Sequence, residues 1–230
     1  MRLWRGLWGL LLGAAALFGV GSLLLVLALR GWSLPASSVI VQNKFKALWD
    51  GGSVDYRWTP YAAISPHMAL AVIAAEDQRF PDHHGFDLIE IREALDDQEQ
   101  GRPTRGASTI SQQVAKNLFL WSGRSFIRKG LEAWFTLLLE GLWPKQRILE
   151  VYLNIAEFGR YTFGVEAASR RFFDKPAARL TASEAARLAA VLPNPLRYRA
   201  DKPSEYTLKR QRWIEGQMGR LGGLAYLDKL

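Results

Sequence analysis

Four carboxylates and two imidazoles crowd one short stretch of this sequence, Glu76-Asp77-Gln78-Arg79-Phe80-Pro81-Asp82-His83-His84-Gly85-Phe86-Asp87. Polar loops are common on protein surfaces. Glu76, however, follows the apolar run 69–75 and so falls at the carboxyl end of a helix. The helix dipole and the neighbouring carboxylates there disfavour its ionised form, and a raised pKa suits a general base or acid working near neutrality. Metal binding competes for the same loop, since Asp82, His83, His84 and Asp87 could supply mixed ligands, though their spacing matches no metal-site signature.

A second stretch, Gly106-Ala107-Ser108-Thr109-Ile110-Ser111-Gln112-Gln113-Val114-Ala115-Lys116-Asn117, carries uncharged hydrogen-bonding groups and one cation. On a helix, Thr109, Gln112, Gln113 and Lys116 recur at i, i+3, i+4 and i+7 and form one polar stripe, with Ile110 and Val114 facing elsewhere. Such a stripe suits sugar hydroxyls and a phosphate; a plain solvated face is the alternative. Further on, Arg128 and Lys129 share a helix face with Glu132, which alone reads as a helix salt bridge. Beside Lys116 the same residues read differently, because three cations repel one another unless a polyanion joins them, and phosphate is the usual guest of Arg with Lys. Two carboxylates and a cationic clamp suggest glycosyl transfer from a sugar diphosphate.

The elements that must position these groups are helices. Ser65-Pro66 offers a cap and a first-turn proline for a helix through residue 75, Asp87 caps another that stops near Gly101, and Ser108 can cap a third over 109–118. Ser125 opens a fourth that runs to Trp143, where Pro144 stops it; 144–154 and 165–172 follow. Thr181 with Glu184 forms a capping box for a helix ending before Pro193, and Ser204 opens a last basic helix toward Gly219. Residues 32–60 read as a connector in which Val39-Ile40-Val41 suggest one short strand. No strand ladder or repeat competes, so the fold class is mainly α, in one domain of about 170 residues.

The totals agree. A chain of 230 residues holds one well-packed domain and an accessory segment. A composition 49% hydrophobic and 23% charged excludes a disordered tail, a collagen or a heptad rod. Zero cysteines exclude a disulfide scaffold, a thiolate zinc site and a cysteine nucleophile. The formal charge of +8 is compatible with nucleic acid, an anionic membrane face or a phosphorylated substrate as partner. Residues 6–29 are uncharged, and as a helix would measure about 36 Å, enough to cross a hydrocarbon core. Arg2 and Arg5 point the short N-terminus to the cytoplasm, although Arg30, Lys44 and Lys46 blur that signal. A cleaved signal peptide is disfavoured, because the run exceeds the ~7–15 residues of a signal core.

Taken together, the motifs resemble the family-51 peptidoglycan glycosyltransferases, in particular their stand-alone, monofunctional members. The pattern E-D-x-x-F-x-x-H-x-G-x-D is met by Glu76, Asp77, Phe80, His83, Gly85 and Asp87. The pattern G-x-S-T-I-x-Q-Q-x-x-K-N is met by Gly106, Ser108, Thr109, Ile110, Gln112, Gln113, Lys116 and Asn117, and R-K-x-x-E by Arg128, Lys129 and Glu132. The stretches 145–154 and 180–195 also fit. Ala107 and Ser111 stand where many bifunctional members carry Gly and Thr. No Ser is followed by Lys at the third position, so the transpeptidase chemistry that often accompanies this domain is not expected.

The resemblance implies a lysozyme-like helical domain over 61–230, joined by a connector at 30–60 to a transmembrane anchor at 6–29, with residues 1–5 cytoplasmic and the catalytic domain periplasmic. It implies polymerisation of lipid II, with inversion at MurNAc C1 and release of undecaprenyl diphosphate. Glu76 is then the general base and Glu132 the second catalytic carboxylate. Lys116, Arg128 and Lys129 stabilise the leaving diphosphate. Ser108, Gln113 and Asn117 position sugar and phosphate, and Asp77 and His83 join the substrate-binding set. No cofactor is required, and a divalent ion, Mg or Mn, beside the diphosphate is the one allowance. Partners are lipid II, the growing strand, the membrane and cell-division or elongation proteins; nucleic acid is not expected. A peptidoglycan-cleaving enzyme of lysozyme type would use Glu76 but not the cations, and a non-catalytic scaffold would use neither carboxylate. Leu118-Phe119-Leu120-Trp121 suits either the core or the membrane leaflet.

Overall fold

A computed structural model describes residues 2–102, 106, 108–123 and 125–230. Among them the chain forms α1 (Arg2–Leu29), α2 (Ser38–Trp49), β1 (Asp55–Tyr56), α3 (Pro66–Glu76), α4 (Leu88–Glu99), α5 (Ile110–Phe119) and α6 (Phe126–Leu142). There follow α7 (Lys145–Ile155), β2 (Glu157–Gly159), β3 (Thr162–Phe163), α8 (Val165–Phe173), α9 (Ala182–Val191) and α10 (Glu205–Arg220). The mainly α expectation holds.

The most apolar helix of the folded body lies at its centre. Met68 through Ala74 of α3 are all buried, as a helix apolar on every side must be. α3 packs against α9 and α10, while α5 packs against α6 and α7. Ile110, Ile148, Leu149, Tyr152, Phe158 and Phe163 fill the core between them. Of the next stretch, Leu118 and Leu120 are buried and the Phe119 ring stacks on Phe135 at 4.3 Å, whereas Trp121 is exposed.

Four local expectations need correction. Residues 39–41 are not a strand: the Ser37 hydroxyl accepts from Ile40 N at 3.2 Å and starts α2, and the cap with the burial of Ile40 overrides the β-branched preference. Ser65 stands at the N-cap position of α3 with Pro66 after it, as expected, but its side chain makes no cap bond; its hydroxyl donates to Leu180 O at 2.7 Å, joining α3 to the approach to α9. The cap of α5 is Thr109, not Ser108, with a full capping box to Gln112. A small sheet does exist, in the order β1-β3-β2, with β1 parallel and β2 antiparallel to β3.

Within α1, Trp8–Leu29 is long and apolar enough to cross a membrane, which fits a single-pass anchor. Its carboxyl end is held by the folded body. Trp134 Nε1 donates to Ser22 Oγ at 3.0 Å, Trp143 Nε1 to Val26 O at 2.8 Å and Arg147 to Leu29 O at 2.9 Å, so carbonyls left free at the helix end gain partners.

Candidate active site

The acidic loop after α3 is held by its own polar groups. Asp77 accepts from His83 Nε2 at 2.9 Å, and its Oδ2 accepts from Ile110 N, also at 2.9 Å, which fixes the start of α5 against the end of α3. His83 Nδ1 in turn accepts from Gly85 N, which places the ring proton on Nε2, facing Asp77. Gly85 has φ +91°, and a Cβ there would lie 2.7 Å from Thr136 Cγ2, so only glycine fits both the turn and the approach of α6. Thr109 Oγ1 donates to Gly85 O at 2.7 Å, and Asp87 Oδ1 accepts from Ile89 N and Glu90 N, capping α4. Asp77 and His83 therefore spend their polar atoms on one another and on the frame of the site.

The same geometry tests the loop as a metal centre. Ligand atoms of Asp77, His83 and Asp87 lie within 4.8 Å of one another, but the Asp77 oxygens and both His83 nitrogens are already hydrogen-bonded. What remains is Asp87 Oδ2, 3.6 Å from the Arg79 guanidinium, and one such atom does not make a cation cage.

Glu76 ends α3 on the wall of a cleft of about 720 Å³. Its side chain is only 15% exposed, and burial pushes the carboxyl above the ordinary glutamate range. A hydrogen bond from Gln113 Nε2 to Oε2 at 3.1 Å and the Arg210 guanidinium 3.8 Å from Oε1 pull it back, while Asp77 pushes it further up. Burial is thus the larger cause of the upward shift, and the neighbouring Asp77 carboxylate the smaller. Asp77, Ser108 and Gln113 share the cleft wall, as do Tyr206, Lys209, Arg210 and Trp213.

Glu132 forms a second group on α6. Its side chain is 4% exposed, and each of its oxygens is taken by a cation, Arg128 Nη1 at 3.3 Å and Lys129 Nζ at 2.5 Å. Lys116, on α5, is drawn toward neutrality chiefly by burial and is attracted by Glu132 and repelled by Arg128 and Lys129. Three cations around one carboxylate leave an excess of positive charge suited to a diphosphate. These residues do not line the cleft with Glu76; Lys116, which interacts with both carboxylates, links the two groups.

The polar stripe expected on α5 is divided by the fold. Thr109 and Gln112 are buried in the capping box, Gln113 faces Glu76, and Lys116 and Asn117 are half-buried further along. Sequence reasoning missed Tyr206, Lys209, Arg210 and Trp213, although their spacing places them on one face of α10. It also missed Tyr152, whose hydroxyl donates to Gln113 Oε1 at 3.3 Å.

The sequence model of the Transglycosylase family matches residues 43–219, and the chain belongs to that family. It is 53% identical over 229 residues to a biosynthetic peptidoglycan transglycosylase of Chromohalobacter salexigens, covering 98% of this chain and 97% of that protein. Proteins of the same description from Pseudomonas fluorescens and Cronobacter sakazakii are 51% and 59% identical, over 98% and 84% of this chain and 95% and 82% of theirs.

Proposed function

We propose that this chain is a peptidoglycan glycosyltransferase that polymerises lipid II into glycan strands. The observation that carries the reading is a pair of carboxylates in opposite surroundings: Glu76 buried beside one amide and one guanidinium, Glu132 saturated by cations. In the reaction, the acceptor GlcNAc 4-oxygen bonds to the donor MurNAc C1 as the bond from C1 to the diphosphate oxygen breaks, inverting that carbon. The hydroxyl proton passes to the ionised Glu76, and undecaprenyl diphosphate leaves with the electron pair. Burial makes Glu76 a stronger base than a solvated glutamate, a role worth about 10²–10⁴ in rate.

Lys116, Arg128 and Lys129 stabilise the charge that grows on the diphosphate, and Glu132 holds the last two in place. Ser108, Gln113 and Asn117 orient sugar and phosphate. Asp77 and His83 act by setting the start of α5. The anchor, residues 6–29, crosses the bacterial inner membrane with its N-terminus inside, and the folded body lies on the periplasmic side, where both lipid-linked substrates are held in the same bilayer. Tethering raises the effective concentration of enzyme near them. Incubating the purified protein with labelled lipid II is expected to give a ladder of glycan strands that lysozyme digests. A protein that makes no ladder but releases fragments from purified sacculi would replace this reading with a cleaving enzyme.

A further inference from the structure

Gln113 has a side-chain amide whose two ends do opposite things to a carboxylate. With its NH₂ group toward Glu76 it stabilises the ionised form; turned over, it sets two acceptors against each other unless Glu76 holds a proton. The 3.1 Å contact uses the NH₂ group, and a fully enclosed neighbour holds the other end. Tyr152, on α7, is 2% exposed, and among the described residues its hydroxyl hydrogen-bonds to Gln113 Oε1 alone, at 3.3 Å. Burial, with Glu76 and Asp77 nearby, raises that phenol well above its ordinary range, so it keeps its proton and stays a donor. Three helices thus meet in one chain of hydrogen bonds, from α7 through α5 to the end of α3.

We propose that Tyr152 is a positioning residue of the glycosyl transfer: by donating to Gln113 Oε1 it fixes the amide with its NH₂ group on Glu76, and so keeps Glu76 ready to accept the acceptor's proton. The proposal rests on the reading of Glu76 as the base. The other charged groups facing Glu76 are Asp77 beside it, Lys116 from α5 and Arg210 from α10, with Asp87, Glu90 and Lys209 along the same cleft. All of them remain in a Tyr152→Phe variant, which loses one oxygen and keeps the ring.

Freed from Tyr152, Gln113 can turn its oxygen to Glu76, which then favours the protonated form. The acidic limb of the kcat/KM profile on lipid II should move to higher pH by about half a unit to one unit, as expected for a neutral hydrogen bond of about 1 kcal/mol. Activity should recover toward wild type at high pH. A loss equal at every pH, with the limb unmoved, would mean that Tyr152 is only structural and would overturn the proposal. Gln113→Met removes the same donor without touching the buried ring and should move the limb the same way, so a Tyr152→Phe protein that fails to fold leaves the test standing; an unmoved limb in Gln113→Met overturns it. In the double variant the Tyr152 change should add no further shift, since it acts through the amide, and a second full shift there counts against the relay. The reading beneath it is checked separately in the same assay: an active Glu76→Gln protein removes the base, whatever the profiles of the other variants show.

Discussion

Glu76 and Glu132 have the same side chain, both largely enclosed, and differ in what encloses them. Around Glu132 the fold sets two cations, one on each oxygen, so that its negative charge is matched before any ligand arrives. Around Glu76 it sets an apolar helix end, one amide and a guanidinium at the edge of ion-pair distance, so that its charge is under-compensated. The sequence hints at this through context, Glu76 closing an apolar run and Glu132 following Arg128 and Lys129 by helical spacing. The lesson is that burial does not define a carboxylate's role; the number and sign of its neighbours do. One is left able to take a proton, the other to hold cations for an anion.

The largest test of that contrast replaces each charge by its neutral isostere. Glu76→Gln should cost about 10²–10⁴ in polymerisation rate, the scale of a lost general base. It should also raise the melting temperature at neutral pH. The folded state holds the Glu76 proton more tightly than the unfolded chain does, so the ionised side chain lowers stability at pH values above the ordinary glutamate range, and this loss fades as the pH falls through it. The gain of Glu76→Gln should therefore be present near pH 7 and fade as the pH falls to the ordinary glutamate range. Glu132→Gln should have the opposite sign, lowering the melting temperature at neutral pH because Arg128 and the half-buried Lys116 lose their counter-charge. Thermal melts of the two variants side by side that moved in the same direction would erase the distinction.

A smaller effect sharpens the Glu132 side alone. Lys116→Ala and Arg128→Ala should each weaken binding of a diphosphate-linked donor by roughly 10- to 100-fold, the size of a lost charge-assisted hydrogen bond, while a glycan without the diphosphate binds nearly as before. Equal losses for both ligands, measured by titration, would show that these cations hold the fold and not the leaving group.

Much of this is legible in the sequence, and what is not shares a cause. Helix starts with a side-chain cap and an apolar period, such as Ser125, Ser204 and the Thr181 and Glu184 box, fall where expected because their signals are local. Arg128 and Lys129 lie on Glu132 as their helical spacing predicts, whereas the contact of Gln113 with Glu76 is not legible from spacing. What stayed hidden depends on long-range packing. Val39-Ile40-Val41 has strand composition, but the Ser37 cap and the Gln42 side chain, which donates to Leu120 O at 3.3 Å, commit it to a helix on the end of α5. Arg210 reads as one cation among many on a basic helix until α10 packs on α3. Ser108 and Thr109 are equivalent as caps in sequence, and Gly85 O, 24 residues earlier, favours Thr109 by accepting its hydroxyl proton.

That last choice supplies the smallest test. α5 serves both carboxylates, with Gln113 near its start toward Glu76 and Lys116 a turn later toward Glu132. Thr109 Oγ1 holds the start twice, accepting from Gln112 N at 3.2 Å and donating to Gly85 O. Thr109→Ala removes both and should cost about 1–2 kcal/mol of stability, the usual range for a lost cap, seen as a drop of several degrees in melting temperature. Because fraying spreads from the end and fades within about a turn, Gln113 should loosen more than Lys116. The variant should lose turnover while keeping affinity for a diphosphate-linked donor. Ser108→Ala should leave the melting temperature unchanged, since Ser108 lines the cleft without capping the helix. A Thr109→Ala protein that lost donor affinity and turnover in equal proportion would show that α5 moves as one rigid piece, and that the two carboxylates are coupled more tightly than their separate surroundings suggest.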